Sequence, residues 1–312
     1  MSHKCLKIIF NLKERGSYLN RYLKLLNNYK LCFDILVINE NSEINFEFKK
    51  FSQTKIINYK FHSNISGMNS IFRAMYHAKD IINSYDYVCF VEDDNFIFPS
   101  GITKCILFLD NNINYVGCNG ESFLFEKKNN YKFLAPYNSP HFFSQNLISR
   151  AKKYNKNYGG LTYYSIIRKK IFLNICYKIT LIKDDNLSEI FFNYLLLING
   201  NLKKIDNLYL AREYPRPKVY NIPKLEDWIN NSNLLNDINV IIYEIKKYLL
   251  ILKNENHSKL FLELTIFKYL SLRFENNLIK FNLFKKFFKK INQIFFKRKE
   301  KVKYFLKQLN SI

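Results

Sequence analysis

The sequence predicts an α/β fold in which a mostly parallel sheet is flanked by helices and is followed by a helical C-terminal extension. Strand-like and helix-like segments alternate over the first hundred residues, which favours a parallel, doubly wound sheet. The run Tyr87–Val91 is short, apolar and rich in aromatic and β-branched residues, as is typical of a strand buried on both faces. After Pro223 the chain contains neither proline nor glycine, which favours helices to its end.

The first hundred residues contain four predicted strands and two predicted helices. Ser17 suits the N-cap position of the first helix, and apolar residues follow it at helical spacing. Ile71, Phe72 and Met75 recur in the same way in the second helix. The predicted strands cover 7–10, 35–38, 56–61 and 87–91, and the predicted helices cover 17–29 and 67–82.

The middle of the chain predicts shorter elements. Pro99, Ser100 and Gly101 open a helix that runs to about Asp110. The loop at about 136–158 is long for a compact domain, so it is either a functional lid or a disordered segment. Predicted strands in this region cover 115–118, 123–125, 131–134 and 161–167.

One more helix and strand complete the predicted first domain. Ser188 suits the N-cap of this helix, and Gly200 suits the position just after its end. A strand at 202–210 then delivers Arg212 and Arg216 into a proline-punctuated loop. The shift in composition near 224 divides the chain into a domain at 1–223 and a basic extension at 224–312, with predicted helices at 233–254, 257–273, 276–296 and 298–310.

Composition narrows the class of protein. Hydrophobic residues make up 48% of the 312, which excludes a disordered chain. The six cysteines form no CxxC pair and no zinc-binding spacing, so we expect reduced core cysteines in a cytosolic protein. No segment has the pattern of a signal peptide or approaches 18 uncharged apolar residues, so we expect no membrane span.

The formal net charge of +23 is concentrated near the C-terminus. Eleven basic residues and Glu300 as the one acid lie between Lys280 and Lys307, so this segment supplies +10. Positive charge attracts polyanions in general, and it does not choose among nucleic acid, anionic lipid and phosphorylated substrates. The absence of a phosphate-binding loop and of a GxGxxG fingerprint argues against kinase and dinucleotide-binding functions.

Three adjacent carboxylates, Glu92, Asp93 and Asp94, follow the predicted central strand directly. Because like charges repel and gain nothing from an apolar surrounding, this position requires a neutralising group. Mg²⁺ and Mn²⁺ take oxygen ligands, and they combine one or two protein carboxylates with water and substrate phosphate. The alternative is a solvated acidic turn before a helix.

The order of motifs resembles a metal-dependent, nucleotide-sugar glycosyltransferase of the GT-A fold, in the family-two-like group. The blocks that carry the resemblance are KERGSYLNRYLKLL, LVINENS, GMNSIFRAMYHA before YVCFVEDDNFIFPSG, and LSEIFFNYLLLINGNLKKIDNLYLAREYPRP. They span residues 5 to 220 approximately. The resemblance implies a Rossmann-like sheet, a nucleotide sugar as donor and a bound Mg²⁺ or Mn²⁺.

The resemblance also implies roles for the acid cluster. Asp94 is the first candidate for a direct metal ligand, and Glu92 is a second ligand or a contact to the ribose or to metal-bound water. Asp93 points away in an ideal strand, but it lies within reach of the cofactor if the strand geometry ends there. The pattern here is ExD in place of the family's DxD, which leaves the division of roles open.

Four further residues are implied to bind the donor. Glu40 lies where similar enzymes place an acid near the nucleotide base, and an exposed loop glutamate is the alternative. Arg15 follows the first strand and is suited to paired contacts with the diphosphate, unless it is a surface arginine. Arg212 and Arg216 either close over the diphosphate or pair with surface acids.

Glu189 is the candidate general base. In the inverting mechanism that the resemblance implies, a carboxylate takes the proton of the acceptor hydroxyl as the oxygen attacks the anomeric carbon. We expect Glu189 in the first turn of its helix, where the helix dipole favours the ionised form. Ordinary helix-start chemistry is the alternative interpretation, and Asp184 and Asp185 are alternative bases.

The segment at 276–310 places phenylalanines along one helical side with lysines around them. A basic amphipathic helix of this kind is typical of an anionic membrane surface, and packing against the catalytic domain is the alternative. Together with the resemblance, it predicts a cytoplasmic enzyme, peripheral on the inner face of the membrane. Its acceptor is expected to be a glycan or a lipid-linked glycan in surface-polysaccharide synthesis.

Two other functions remain open at the level of sequence. The basic tail suits nucleic acid, although carboxylates repel phosphate unless a metal intervenes, and we expect no specific nucleic acid partner. A catalytically degenerate, glycan-binding protein of the same fold is the other alternative. It is suggested by Asn11, Leu12 and Glu92, which depart from the family's pattern.

Overall fold

The computed structural model describes residues 4–11, 16–39, 54–61, 68–127, 129–137, 141–144, 149–150, 153–154, 161–214, 232–251, 303–304 and 307. The strands are β1 (Cys5–Asn11), β2 (Asp34–Asn39), β3 (Ile56–Lys60), β4 (Tyr87–Glu92), β5 (Asn95–Ile97), β6 (Tyr115–Lys127), β7 (Tyr131–Tyr137), β8 (Ile166–Arg168) and β9 (Asn201–Glu213). The helices are α1 (Gly16–Leu26), α2 (Met68–His77), α3 (Lys79–Ile82), α4 (Pro99–Asp110), α5 (Lys169–Ile179), α6 (Asp185–Asn199) and α7 (Ser232–Ile251), and a 3₁₀ helix spans Leu161–Tyr164.

Within these ranges the strands form one sheet in the order β3-β2-β1-β4-β8-β6-β9-β5, with β7 paired to β6. Strand β1 lies between β2 and β4 and runs parallel to both, and β3 continues the parallel arrangement beyond β2. Every residue of β4 is buried, as its apolar composition predicts. The carboxyl ends of β1, β2 and β4 therefore share one edge, where ligands bind in open α/β sheets.

The other half of the sheet is mixed. Strand β8 runs antiparallel to β4 and β6, β9 runs parallel to β6, and β5 runs antiparallel to β9. The segments 115–118 and 123–125, which the sequence predicts as separate strands, form the single strand β6. A Cβ at Gly120 would lie 2.4 Å from the carbonyl oxygen of Asn207, so a glycine lets β6 pass β9 closely at this point.

Two elements of this half differ from the sequence prediction. The segment 161–167 divides into the 3₁₀ helix and β8, and α5 follows at once. Helix α5 buries Phe172, Ile175, Cys176 and Ile179, which recur at helical spacing. The short strand β5 also escaped prediction, because three residues after an acid cluster carry no clear alternation.

Helix α6 begins at Asp185, three residues before the predicted N-cap Ser188. Asp184 is the residue that caps it, since its Oδ1 accepts the amide proton of Leu187 at 2.8 Å. The Ser188 hydroxyl instead donates to the carbonyl of Asp184. Glu189 therefore lies in the second turn of α6 and not in the first, which corrects the sequence prediction.

Helix α7 packs against the sheet domain. Ile241 and Ile245 belong to the same hydrophobic core as the strands. Asp237 Oδ2 accepts the amide protons of Lys183 at 2.9 Å and Asp184 at 2.7 Å, so α7 contacts the start of α6. The predicted boundary near 224 and the helices at 257–273 and 276–296 lie outside the described residues.

No helix in the part of the chain that the structure describes is long and apolar enough to cross a membrane. The predicted membrane-surface segment at 276–310 is described at residues 303, 304 and 307 only. Its role therefore stays a prediction.

Candidate active site

The acid cluster lies where β4 ends. Glu92 is the last residue of β4, and Asp93 and Asp94 form the turn that leads into β5. These three residues are 5%, 1% and 3% exposed, respectively. The turn is therefore buried, and the solvated acidic turn that the sequence left open does not describe it.

Two neutral donors hold Glu92. The hydroxyl of Tyr164 donates to Glu92 Oε2 at 3.1 Å, and Nδ2 of Asn95 donates to the same oxygen at 3.3 Å. Asn95 Nδ2 also lies 3.2 Å from the Tyr164 hydroxyl, so the three groups form one buried network. This network fixes the direction of the Glu92 carboxylate.

Arg212 comes from β9, where it pairs in register with Asn95 of β5. Its guanidinium lies 5.8 Å from the ring centroid of Tyr164 and 5.3 Å from that of Tyr137, and it donates to the Tyr137 hydroxyl at 2.7 Å. The sequence placed Arg212 in a loop after the strand. The structure instead holds it within β9, between two aromatic rings beside the acid cluster.

Tyr163 packs against Tyr164, with ring centroids 4.3 Å apart. Its ring stacks on Phe90 of β4 at 5.4 Å and is almost fully buried. Burial raises the pKa of Tyr163 well above its usual range. The charges of Glu189 and Glu92 raise the pKa further, and the charge of Arg212 opposes them. The contacts in this part of the site are those of Tyr164, whose hydroxyl bonds Glu92 and whose ring lies under Arg212 and beside Tyr163.

The other candidate residues are placed as follows. Asp184 caps α6, and Asp185 Oδ1 accepts the amide proton of Asn69 at 2.9 Å, so both alternative bases have structural contacts. Glu189 is half-buried. Three candidates for donor binding lie outside the described residues, and their roles stay predictions: Arg15, Glu40 and Arg216.

The donor set of the acid cluster fits a hard divalent cation, because carboxylate oxygens are the ligands that Mg²⁺ and Mn²⁺ prefer. Among the described residues, no group of three His, Cys, Asp or Glu side chains converges as a complete metal site. A cation here would therefore take one or two carboxylates and draw its remaining ligands from water and a phosphorylated substrate.

Sequence reasoning missed the residues that connect the candidates. The rings and donors of this site come from Tyr137, Tyr163, Tyr164 and Asn95. No local pattern distinguishes the three tyrosines among the 23 of the chain, and none marks Asn95. Tyr163 and Tyr164 lie within the predicted strand at 161–167, and no pattern there marks them as site residues. The contact of Tyr164 with Glu92 spans 72 residues of sequence, so only the fold reveals it.

The large, mostly parallel sheet with flanking helices is consistent with a Rossmann-like fold. The structure is similar to that of S. aureus TarS residues 1–349, with a TM-score of 0.55 and 14% identity, covering 90% of this chain and 76% of that one. TarS is a GT-A-type teichoic acid glycosyltransferase.

A longer TarS structure gives a TM-score of 0.51 and 13% identity over 89% of this chain. This chain covers 46% of that longer protein, less than half of its length. No protein-family model and no curated protein matches the sequence. At this level of identity the similarity shows the fold alone.

Proposed function

We propose that this protein is a metal-dependent, inverting glycosyltransferase. It transfers a sugar from a nucleoside diphosphate sugar to a glycan or lipid-linked acceptor in surface-polysaccharide synthesis. The observation that carries the proposal is the buried cluster of Glu92, Asp93 and Asp94 at the carboxyl end of β4, with Arg212 close by over the ring of Tyr164, in a fold similar to that of TarS. TarS, with the same fold, acts on teichoic acid, which supports a surface polymer as the class of product.

Asp94 and Glu92 would hold Mg²⁺ or Mn²⁺, with Asp93 beside them. When bound, the cation neutralises the negative charge that builds up on the departing diphosphate. Tyr164 and Asn95 keep one Glu92 oxygen in a fixed direction, so this carboxylate needs no rearrangement when the donor binds. Asp94 is therefore the primary ligand in this proposal and Glu92 the secondary one.

Arg212 orients the donor. Its guanidinium is held between the rings of Tyr137 and Tyr164. Because the side chain is already ordered, it loses less conformational entropy when it binds a phosphate. Arg15, Arg216 and Glu40 are proposed to complete the contacts with the diphosphate and the nucleotide base. An arginine is suited to this role because its planar fork donates two parallel hydrogen bonds to phosphate oxygens.

Glu189 acts as the general base. The acceptor O–H bond breaks with its proton moving to the Glu189 carboxylate, while the acceptor oxygen forms the new bond to the anomeric carbon. The bond from that carbon to the diphosphate oxygen breaks, and its electron pair leaves with the nucleoside diphosphate. Attack from the opposite face inverts the anomeric configuration.

We place the enzyme in the cytoplasm, on the inner face of the membrane, where both nucleotide sugars and lipid-linked acceptors are accessible. The basic segment at 276–310 supports this location through attraction to anionic lipid, about 1 kcal/mol for each Lys or Arg near the surface.

The proposal is tested with the purified full-length chain and a panel of UDP, GDP, CMP and dTDP sugars. Release of the free nucleotide is measured with Mn²⁺ and with EDTA, and the anomeric configuration of the product is read by NMR. The proposal expects turnover with one nucleotide class, loss of turnover in EDTA and inversion. A product of retained configuration contradicts the mechanism, and nucleotide binding without turnover on any donor favours the degenerate, glycan-binding function.

A further inference from the structure

A concave site lies beside α1. It has a volume of about 570 Å³ and lies between the exposed face of α1 and the β6–β7 connection. We call it the α1 groove, and its rim carries Ser17, Asn20 and Lys24 on one side and Lys127, Asn129 and Asn130 on the other. The α1 residues recur at three- and four-residue spacing, so they share one face of the helix.

The floor of the α1 groove is built from buried, paired groups. Arg21 of α1 donates to the Tyr131 hydroxyl at 2.7 Å and forms an ion pair with Glu213 at the end of β9. The Arg21 guanidinium also lies over the rings of Tyr18 and Tyr131, at 4.8 and 5.4 Å. These contacts join α1, β7 and β9, so the groove has a fixed shape.

The charge of the rim is positive. Glu213 neutralises Arg21 in the floor, which leaves Lys24 and Lys127 as the charged groups among the lining residues that the structure describes. Both lysines are exposed, and the first turn of α1 contains no acid. The exposed amides of Asn20, Asn129 and Asn130 supply both donors and acceptors. This lining suits a ligand that combines negative charge with hydroxyl groups.

The α1 groove lies on the opposite face of the sheet from the acid cluster. Successive strand residues point to opposite faces, so Glu213 faces the groove while Arg212 faces Tyr164 and Tyr137. Strand β5 shows the same division, because Phe96 packs on Tyr22 of α1 at 5.1 Å whereas Asn95 contacts Glu92. The groove is therefore separate from the donor site and adjacent to it across the β5–β9 pair.

We propose that the α1 groove binds a segment of the acceptor glycan that carries carboxylate or phosphate groups. This proposal rests on the proposed function, which it extends by naming the chemical class of the acceptor. Lys24 and Lys127 pair with the anionic groups, and the three asparagines bond to sugar hydroxyls. A glycan held here would anchor away from the reacting end, which adds affinity without occupying the donor site.

Other anionic partners fit the lining less well. A membrane-binding surface inserts exposed apolar side chains, and the described residues that line the groove include none. A single-stranded nucleic acid stacks its bases on exposed aromatic rings. Tyr131 is only 9% exposed and Tyr18 is half-buried under Arg21, so neither ring offers such a platform.

The test compares dextran with phosphorylated dextran and with oligogalacturonate by titration calorimetry on the full chain. The variant K24E/K127E reverses both rim charges. The matched control K104E/K170E changes the net charge equally at exposed positions of α4 and α5. We expect both anionic glycans to bind wild type and control alike, and the groove variant to bind them at least roughly tenfold more weakly. The difference should shrink as salt is raised.

Equal affinity of the groove variant and wild type for both anionic glycans overturns the proposal, as does equal binding of neutral dextran. The neutral variant K24A/K127A tests whether charge repulsion alone weakens binding in K24E/K127E. Its affinity for the anionic glycans should lie between the affinities of wild type and K24E/K127E. Phosphatidylglycerol vesicles and single-stranded DNA are titrated in parallel. If K24E/K127E loses affinity only for the vesicles or only for the DNA, the groove is assigned to that partner and the glycan proposal is overturned.

Failure of this inference can be told apart from failure of the proposed function. Cleavage of the donor by water in the absence of acceptor reports on the donor site and not on acceptor binding, and K24E/K127E should leave its rate unchanged. If wild type cleaves the donor and K24E/K127E binds the anionic glycans as tightly as wild type does, only the proposal for the α1 groove is rejected. No donor cleavage or donor binding by the wild-type chain rejects the enzymatic function itself.

Discussion

The parallel strands β1, β2 and β4 bury mostly aliphatic and aromatic side chains, whereas the mixed strands β6 and β9 also bury several polar ones. Strand β4 runs through Tyr87–Glu92 with no polar residue before its terminal acid. Strands β6 and β9 bury Asn119, Ser122 and Asn207 among their apolar residues. The parallel half thus acts as a scaffold that presents carboxylates at one edge.

The mixed half supplies the groups that hold those carboxylates. Tyr164 precedes β8 and Asn95 lies in β5, and both bond Glu92, while Arg212 of β9 lies over the ring of Tyr164. The parallel strands therefore determine where the acids lie, and residues of the mixed half determine how Glu92 is oriented. Variants in each half should therefore have different effects.

The largest effect among the variants should come from Glu189 of α6, the proposed base. Glu189→Gln keeps the size of the side chain and removes its ability to accept a proton, so turnover should fall by about a hundredfold to ten-thousandfold. Donor affinity should change little, because the base contacts the acceptor. The measurement is kcat and KM for both substrates, with Asp80→Asn as an exposed control in α3. Turnover within a factor of about three of wild type would reject Glu189 as the base.

A smaller effect is expected from the mixed half. Tyr164→Phe removes the hydroxyl that bonds Glu92 while the ring remains under Arg212, so donor turnover should fall roughly tenfold, the cost of about one hydrogen bond. Tyr177→Phe, at an exposed position of α5, is the matched control. Steady-state kinetics at several Mn²⁺ concentrations checks this prediction. If Tyr164→Phe and the control behave alike, the network does not orient Glu92.

The smallest expected effect comes from Lys7 in the parallel half, and it changes the free energy of unfolding and not the turnover. Lys7 of β1 is fully buried, its Nζ donates to the carbonyl of Ile97 at 3.0 Å, and the rings of Tyr22, Phe33 and Phe96 surround it. Burial lowers the pKa of Lys7 to about 7, and the neighbouring Cys89, Cys5 and Cys32 oppose that shift. The unfolded chain keeps this proton up to its ordinary pKa of about 10.4.

Between pH 7 and 9 the unfolded chain therefore binds more protons at Lys7 than the native one does. Its contribution makes the free energy of unfolding rise with pH, by at most about 1.4 kcal/mol per unit. Below pH 7 both states are charged and this contribution is flat. Urea unfolding at pH 7, 8 and 9 should show a smaller rise in Lys7→Met than in wild type, and Lys104→Met should match wild type. Parallel curves for Lys7→Met and wild type would show that Lys7 is charged throughout.

The same contrast explains what the sequence could predict. Apolar runs identify β1, β2 and β4, because a strand buried on both faces requires apolar residues throughout. The acid cluster could be predicted from the sequence alone, because its three acids are consecutive and directly follow such a run. Helix α5 was also recognisable, because Phe172, Ile175, Cys176 and Ile179 follow helical spacing, but the neighbouring strand signal obscured it.

The geometry of the site was beyond local patterns. The contact between Glu92 and Tyr164 and the pairing of Asn95 with Arg212 join residues far apart in the chain. Competition between two capping residues also displaced one element, because Asp184 took the place expected for Ser188 and moved Glu189 into the second turn. Long-range pairing and competition between caps are set by the whole fold, which a local pattern does not contain.

The account depends most directly on a cation held by Asp94 against a nucleoside diphosphate. Titration calorimetry of UDP, GDP and dTDP with the wild-type chain, with and without Mn²⁺, tests it alongside Asp94→Asn and the exposed control Asp206→Asn. We expect Mn²⁺ to tighten the binding of one nucleotide at least roughly tenfold in wild type and control, and to have no such effect in Asp94→Asn. Nucleotide binding that is equally tight in EDTA, or unchanged in Asp94→Asn, would contradict the account.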